Sequence, residues 1–339
     1  MKIVVIGAGL IGRERIEAAQ YISKKTNGEV SLAAVFDTNA ELLAATEKKY
    51  QVPTVNSLDA ALKLEPDWVL VATPNDVTAS VAKQIFQTKA HVLVEKPFGR
   101  TLDECEEIIA AKPADSKLCV GFNYRFFAGI EKALHDAKSG KFGDLISVNF
   151  ILAHGNSPGM EKTWKLSPER CGSVTADLGV HLFDLMLQLG RGAINIEHAQ
   201  SWSGFWNTGI EEETHMILTD EAGTIFNAQV SLNRWRSTFR LEINGTEGYG
   251  VVDCRGRSYG PQSYKTGVRW GWLSGKLQAD TEELVVDKDP CVDSFTKETI
   301  SALGLSKRMG QDSTSTACTH YEAQQVMQLL DQYNRIIKS

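Results

Sequence analysis

From residue 2 to residue 123, short apolar runs alternate with helix-patterned runs, and the first junction between them is the glycine loop "GAGLIG", residues 7–12. This alternation constrains the fold more than any other feature. Successive strands joined by helices lie parallel, and a parallel sheet needs helices on both faces. The runs 2–7, 30–37, 67–74, 91–97 and 118–123 read as strands. The runs 12–25, 39–50, 77–89 and 101–112 read as helices, the first burying Ile16, Ala19 and Ile22. Asn39 is placed to cap the second, and Thr101 with Glu104 has the spacing of a capping box. The expected fold is α/β, a doubly wound parallel sheet.

Beyond residue 124 the pattern changes. A helix over 127–140 is followed by longer strands at 144–153, 212–220, 223–233, 238–244 and 248–254, with turn signals in "DEAG" (220–223) and "INGTEG" (243–248). These strands predict an antiparallel meander. Helices return at 175–189, 292–303 and 319–337. A chain of 339 residues is long for one core, and two domains are expected: a nucleotide-binding domain over 1–123 and a substrate-binding and oligomerisation domain over 124–339. The segment 255–289, rich in Gly, Arg, Tyr and Trp, fits either a surface loop or hairpin packed on a neighbouring subunit or a loop facing substrate.

A net charge of −6 with no basic, aromatic-interleaved stripe argues against a nucleic-acid partner. The six cysteines form no C-x-x-C pair and are expected as buried thiols of a reducing compartment. The histidines show no ligand spacing, so no metal is assigned. The apolar opening runs into Arg13, Glu14 and Arg15 without a cleavage site, and no run approaches the ~18 apolar residues of a membrane helix. The expectation is a cytoplasmic protein with no membrane partner.

The glycine loop follows a strand and opens a helix, the context a dinucleotide fingerprint requires. Gly7 permits the tight turn, Gly9 lets the backbone approach a pyrophosphate, and Gly12 allows close packing. The amides around Leu10 and Ile11 then face the phosphates at the helix N-terminus. Asp37 ends the second strand, where a carboxylate binds ribose hydroxyls and repels a 2′-phosphate. This favours NAD, although Thr38 and Asn39 leave NADP open. Ala72, Thr73, Pro74 and Asn75 end the third strand, and Glu95 and Lys96 end the fourth. Ligands of open parallel sheets bind beyond such ends. Thr73 and Asn75 also fit a plain helix-capping turn.

"GAGLIG", "ATPN" (72–75), "HVLVEKP" (91–97), "GFNYRF" (121–126) and "CGSVTADLGVHLFD" (171–184), in this order, resemble the Gfo/Idh/MocA oxidoreductases, a family that includes glucose–fructose oxidoreductase and inositol dehydrogenase. The resemblance implies an N-terminal Rossmann domain and a C-terminal α+β domain. The latter carries a large, mostly antiparallel sheet that often mediates homodimers or homotetramers. It also implies hydride transfer between a nicotinamide and a carbinol carbon of a sugar, cyclitol or nucleotide-linked sugar, and a cis Lys96–Pro97 bond. Family members often carry His at the position of Thr78, which is expected to support the loop.

Asp177 and His181 are four apart, on one face if the segment is an α-helix. They are expected either as catalytic groups or as a capping pair. Alcohol oxidation needs a base and a group that stabilises developing alkoxide. His181 fits the first role and Lys96 the second, though the two are interchangeable because a buried lysine can titrate near neutrality. Asp177 would bond a substrate hydroxyl or orient the imidazole. Glu95 and Asn123 are expected on the cofactor side. Tyr124 and Arg125 would face nicotinamide or substrate, or pack between domains, and His154 and Trp164 would wall the substrate. A sugar or nucleotide-linked sugar is the favoured substrate. The alternatives are a cyclitol, and an NAD-binding sensor without chemistry.

Overall fold

The computed structural model describes residues 1–170, 172–268, 281–284 and 292–338. In chain order the elements begin β1 (Lys2–Ile6), α1 (Leu10–Lys25), β2 (Ser31–Phe36), α2 (Ala40–Tyr50), α3 (Leu58–Leu62), β3 (Trp68–Val71), α4 (Asn75–Ile85), β4 (His91–Glu95), α5 (Leu102–Ala111) and β5 (Leu118–Gly121). There follow α6 (Ala128–Lys138), β6 (Leu145–Ala153), α7 (Val180–Leu189), β7 (Ile194–Trp202), β8 (Glu213–Asp220), β9 (Ile225–Ser231), β10 (Thr238–Gly245) and β11 (Gly248–Asp253). The chain ends with β12 (Ser263–Val268), β13 (Thr281–Leu284), α8 (Ser294–Ala302), β14 (Cys318–Thr319) and α9 (His320–Lys338).

The chain divides into two compact units. One comprises Met1–Phe126 with the described part of Lys288–Gln324, the other Phe127–Asp287 with Gln325–Ser339. This corrects the expected boundary, which placed everything after residue 123 in the second domain. The late segment belongs to the first unit because α8 and its C-cap add Ile300, Ala302 and Leu303 to the core around Ile3, Val5, Ile16, Trp68 and Leu93. In addition, β14 pairs antiparallel with β5.

The first unit's sheet has the order β14-β5-β4-β3-β1-β2. Its other neighbours are parallel. Val69, Leu70, Val92, Leu93 and Val94 are buried without alternation, as expected for a sheet covered on both faces. Local signals hold: the Asn39 side chain accepts from Leu42 N, capping α2. At α5 the box is altered, since Thr101 accepts from Glu104 N while the Glu104 carboxylate takes the Arg100 amide instead of the Thr101 amide. β4 stops at Glu95, two residues short of the expected end, and the Lys96–Pro97 peptide is cis.

The second unit's sheet has the order β13-β12-β11-β10-β6-β9-β8-β7. It is mostly antiparallel but not the expected meander, because β6 lies between β9 and β10 and runs parallel to β9. The side chains at 148, 150 and 152 are buried on β6, so a central position suits it. β7 was not expected from the sequence; β12 pairs antiparallel with β13 within the segment for which a hairpin is one of the expected forms. The helix expected over 175–189 is not uniform: Thr175–Gly179 forms a π turn and α7 follows. Of the segment 255–289, residues 269–280 and 285–289 lie outside the described residues.

Among the described residues no helix is long and apolar enough to cross a membrane. None of the described His, Cys, Asp and Glu residues cluster as metal ligands. Cys105 and Cys318 are buried thiols and Cys119 and Cys254 are half-buried; Cys171 and Cys291 lie outside the described residues.

Candidate active site

In the first unit, β1 to β5 are parallel, so their carboxyl ends share one edge of the sheet. That edge carries the glycine loop after β1, Asp37 and Thr38 after β2, Ala72–Asn75 after β3, Glu95 and Lys96 at the end of β4, and Asn123 after β5. The strand order reverses between β1 and β3, the crevice where open α/β sheets take ligands.

The loop geometry fits a dinucleotide. Gly7 has φ +97°, and a Cβ there would strike the Ala72 carbonyl. A Cβ on Gly12 would collide with the Gly7 carbonyl, so the third glycine serves the turn itself. A Cβ on Gly9 would meet nothing within 4 Å, leaving the backbone open to approach. Gly9 caps α1 without a side-chain bond, so the first amides, around Leu10 and Ile11, point onward from the helix. Asp37 Oδ2 accepts from Ala8 N at 2.7 Å and its Oδ1 from Asn39 N at 2.8 Å. Two amides thus fix the carboxylate beside the loop, and each oxygen retains a further lone pair for a ribose hydroxyl.

Thr73 and Asn75 do not form a capping turn: Pro74 is the N-cap of α4, with no side-chain bond, and Asn75 is buried. Thr78 supports the turn. Its hydroxyl donates to the Pro74 carbonyl and accepts from Thr73, each at 3.1 Å.

Three expected site residues have structural partners in this unit. Glu95 accepts from Arg15 Nε at 2.7 Å. Asn123 Nδ2 donates to Ser294 Oγ at 2.9 Å. Arg125, 1% exposed, pairs with Glu322 at 2.9 Å and donates to the Thr316 carbonyl. Burial alone would raise Glu322, but Arg125 and the bonds from Thr319 hold it below its ordinary value. Arg125 is therefore bound within the first unit, and Tyr124 beside it is buried. Lys96 is half-buried.

In the second unit, Asp177 lies half-buried within the π turn and His181 is buried in the first turn of α7. An i→i+5 turn holds one residue more than an α turn, so Asp177 and His181 are not related by the regular α geometry their spacing suggests. The turn is tied down on several sides. Val174 N donates to the Glu211 carbonyl at 3.0 Å and Ala176 N to Ser173 Oγ at 3.1 Å. Thr175 Oγ1 donates to Thr214 Oγ1 at 3.3 Å, and Thr214 bonds Tyr333 Oη at 2.9 Å. Burial raises the Tyr333 phenol above its ordinary range despite these bonds.

His154 follows β6, its amide on the Ser231 carbonyl and its Nδ1 accepting from Asn156 N at 3.3 Å. Trp164 opens a 3-10 turn, Trp164–Leu166, and its side chain lies outside what the structure describes. Residues missed in the sequence include Arg15, Glu298 and Ser294 in the first unit and Thr214 and Tyr333 in the second. Their partners lie far along the chain, and no local spacing marks them.

Comparison with known proteins gives two adjoining matches. Residues 1–122 match a family model described as "Oxidoreductase family, NAD-binding Rossmann fold". Residues 131–250 match the GFO/IDH/MocA C-terminal domain. Among curated proteins, the chain is 28% identical over 270 residues to a 2,7-anhydro-N-acetylneuraminate hydratase of Escherichia coli (strain K12), covering 74% of this chain and 67% of that protein. Among solved structures, the aldose-aldose oxidoreductase of Caulobacter crescentus aligns with TM-score 0.80 at 18% identity, over 100% of this chain and 97% of that one. The UDP-N-acetylglucosamine 3-dehydrogenase of Acidithiobacillus ferrooxidans aligns with TM-score 0.76 at 22% identity, over 100% and 98%. At these identities the structural likenesses speak for the fold.

Proposed function

Because the chain belongs to the Gfo/Idh/MocA family of oxidoreductases, with an NAD-binding Rossmann fold, we propose that it transfers hydride between NAD and a carbinol carbon of a free or nucleotide-linked sugar. The observation that carries this reading is Lys96: it leaves the end of β4 on the sheet edge that also bears the glycine loop and Asp37.

Gly7, Gly9 and Gly12 with the α1 amides would hold the pyrophosphate. Asp37 would accept the ribose hydroxyls and disfavour a 2′-phosphate. Thr38 and the 72–75 turn would border the same ligand. When bound, the nicotinamide supplies the hydride acceptor. The Lys96 ammonium donates to the reacting oxygen and stabilises developing alkoxide. His181 accepts the hydroxyl proton, and Asp177 bonds a neighbouring substrate hydroxyl or orients the imidazole. Tyr124 and His154 remain candidates for contact with substrate.

The nucleotide-linked version draws on the Arg- and Trp-rich segment, since Arg pairs with phosphate and Trp stacks on bases. Its Trp270 and Trp272 lie outside the described residues. Arg255 is engaged internally, its guanidinium 3.8 Å from the Tyr259 ring centroid. Free sugars therefore stand level with nucleotide sugars.

Following NADH formation across UDP-sugars, free sugars and inositols tests the substrate class, and turnover of inositols alone overturns the sugar reading. Lys96→Ala is expected to abolish turnover while NADH still binds by fluorescence titration. Near-normal turnover in that variant overturns the role of Lys96.

A further inference from the structure

Arg15 points from α1 into the first unit and is fully buried. Three side chains accept hydrogen bonds from its guanidinium. Nε donates to Glu95 Oε1 at 2.7 Å, Nη2 to Glu298 Oε2 at 2.6 Å, and Nη1 to Thr299 Oγ1 at 3.1 Å. The Phe295 ring centroid lies 5.2 Å from Arg15 Cζ. Gly121 on β5 leaves room for the pair, since a Cβ there would come within 2.8 Å of Arg15 Nη2 and 2.9 Å of Glu95 Oε2.

Arg15 thus bonds two carboxylates. Glu95 keeps 11% side-chain exposure and Glu298 keeps none. Glu298 Oε1 is buried and accepts no hydrogen bond among the described residues. A buried carboxylate with an unmatched oxygen, beside a second carboxylate that claims the same cation, is better accommodated as the acid.

We propose that Arg15 and Glu298, acting through Glu95, are positioning residues for Lys96. Glu95 and Lys96 are consecutive at the end of β4, so a guanidinium gripping the Glu95 carboxylate fixes the backbone from which Lys96 departs. Glu298 serves as a neutral acid, which leaves the charge of Arg15 to Glu95. When Glu298 ionises it competes for Arg15 and loosens that grip.

The groups facing Glu298 are Arg15 from α1, Glu95 from β4, Cys119 from β5 and Arg125 from the turn after β5. Burial is the largest influence and raises Glu298; Arg15 opposes it, Glu95 adds to it, and the group is pushed up to about 8.

The proposal rests on Lys96 meeting the reacting oxygen, and the test separates the two. It measures kcat and KM against pH for the wild type, Glu298→Ala, Glu298→Gln, Glu95→Gln and Lys96→Ala, with NAD and a sugar turned over in the substrate screen. Glu298→Ala and Glu95→Gln are expected to lower kcat by about tenfold or more with KM for NAD little changed, the signature of misplacement at the reacting atoms. The wild-type kcat is expected to fall above pH ~8, and Glu298→Gln to restore most of the kcat lost in Glu298→Ala and to lack that fall.

Positioning is overturned if Lys96→Ala loses turnover while Glu95→Gln keeps the wild-type kcat. It is also overturned if Glu298→Gln is as impaired as Glu298→Ala, or retains the wild-type alkaline fall. Should Glu298→Ala not fold, Glu95→Gln and the alkaline limb of Glu298→Gln decide alone. Full turnover in Lys96→Ala overturns instead the reading on which the proposal rests.

Discussion

Beneath Glu95 and Lys96 lies one buried cation between two carboxylates; beneath Asp177 lies a chain of neutral hydroxyls, Thr175, Thr214 and Tyr333. Both hold a candidate functional segment by bonds to elements distant in the chain. They differ in what failure costs. A buried ion left without its partner is strongly destabilising, whereas a buried hydroxyl that loses one bond forfeits far less. The first clamp also carries a proton-dependent charge, and the second stays neutral through ordinary pH.

The sharpest way to break the comparison is Arg15→Met. It leaves Glu95 and Glu298 without their cation, and a loss of about 3–5 kcal/mol in chemical denaturation is expected. A loss below that of Tyr333→Phe would mean that the ionic clamp holds little. Second is the pH response. Glu298 is raised from 4.5 to about 8 in the folded chain, so the folded state binds more protons than the unfolded one between those values. Its contribution is fully present below pH 4.5 and is lost as pH rises towards 8. Melting temperatures measured across this window are expected to fall less in Glu298→Gln than in the wild type. Glu322, held low by Arg125, has the opposite sign: its contribution is lost as pH falls below 4.5.

Third, Tyr333→Phe removes one end of the hydroxyl chain and is expected to cost about 1 kcal/mol, read by the same denaturation. Smallest is Thr78→Val, which cuts a neutral clamp inside the first unit, at the 72–75 turn. A cost of about 0.5–1 kcal/mol is expected. A value near that of Arg15→Met would show that location, not the chemistry of the clamp, sets the energy.

Sequence legibility follows the same division. Features whose partners are near in sequence could be read: the glycine loop, the Asn39 cap, the Thr101 bond and the unbroken apolar runs of a covered parallel sheet. Asp37 could be placed because its strand end is local, although its bonds to Ala8 and Asn39 were not evident. β7 escaped notice because a register shift between Ile196 and His198 breaks the period of two that marks a strand. The placement of β6 between β9 and β10 depends on pairing across the unit, which no local pattern encodes. The π turn was hidden because its residues are spaced as an α-helix would space them. Arg15 looked like one more charge after an apolar opening, and its partner Glu298 lies 283 residues on.

The return of α8 and β14 to the first unit has a consequence for synthesis. As the chain leaves the ribosome, the five parallel strands emerge early. At that stage Arg15 lacks Glu298 and Thr299, β5 lacks its edge partner, and the core lacks Ile300. The unit that begins translation first is therefore completed only after the whole second sheet has been made. A fragment ending at Phe126 would carry every glycine of the nucleotide loop and Lys96, yet leave a buried guanidinium half satisfied.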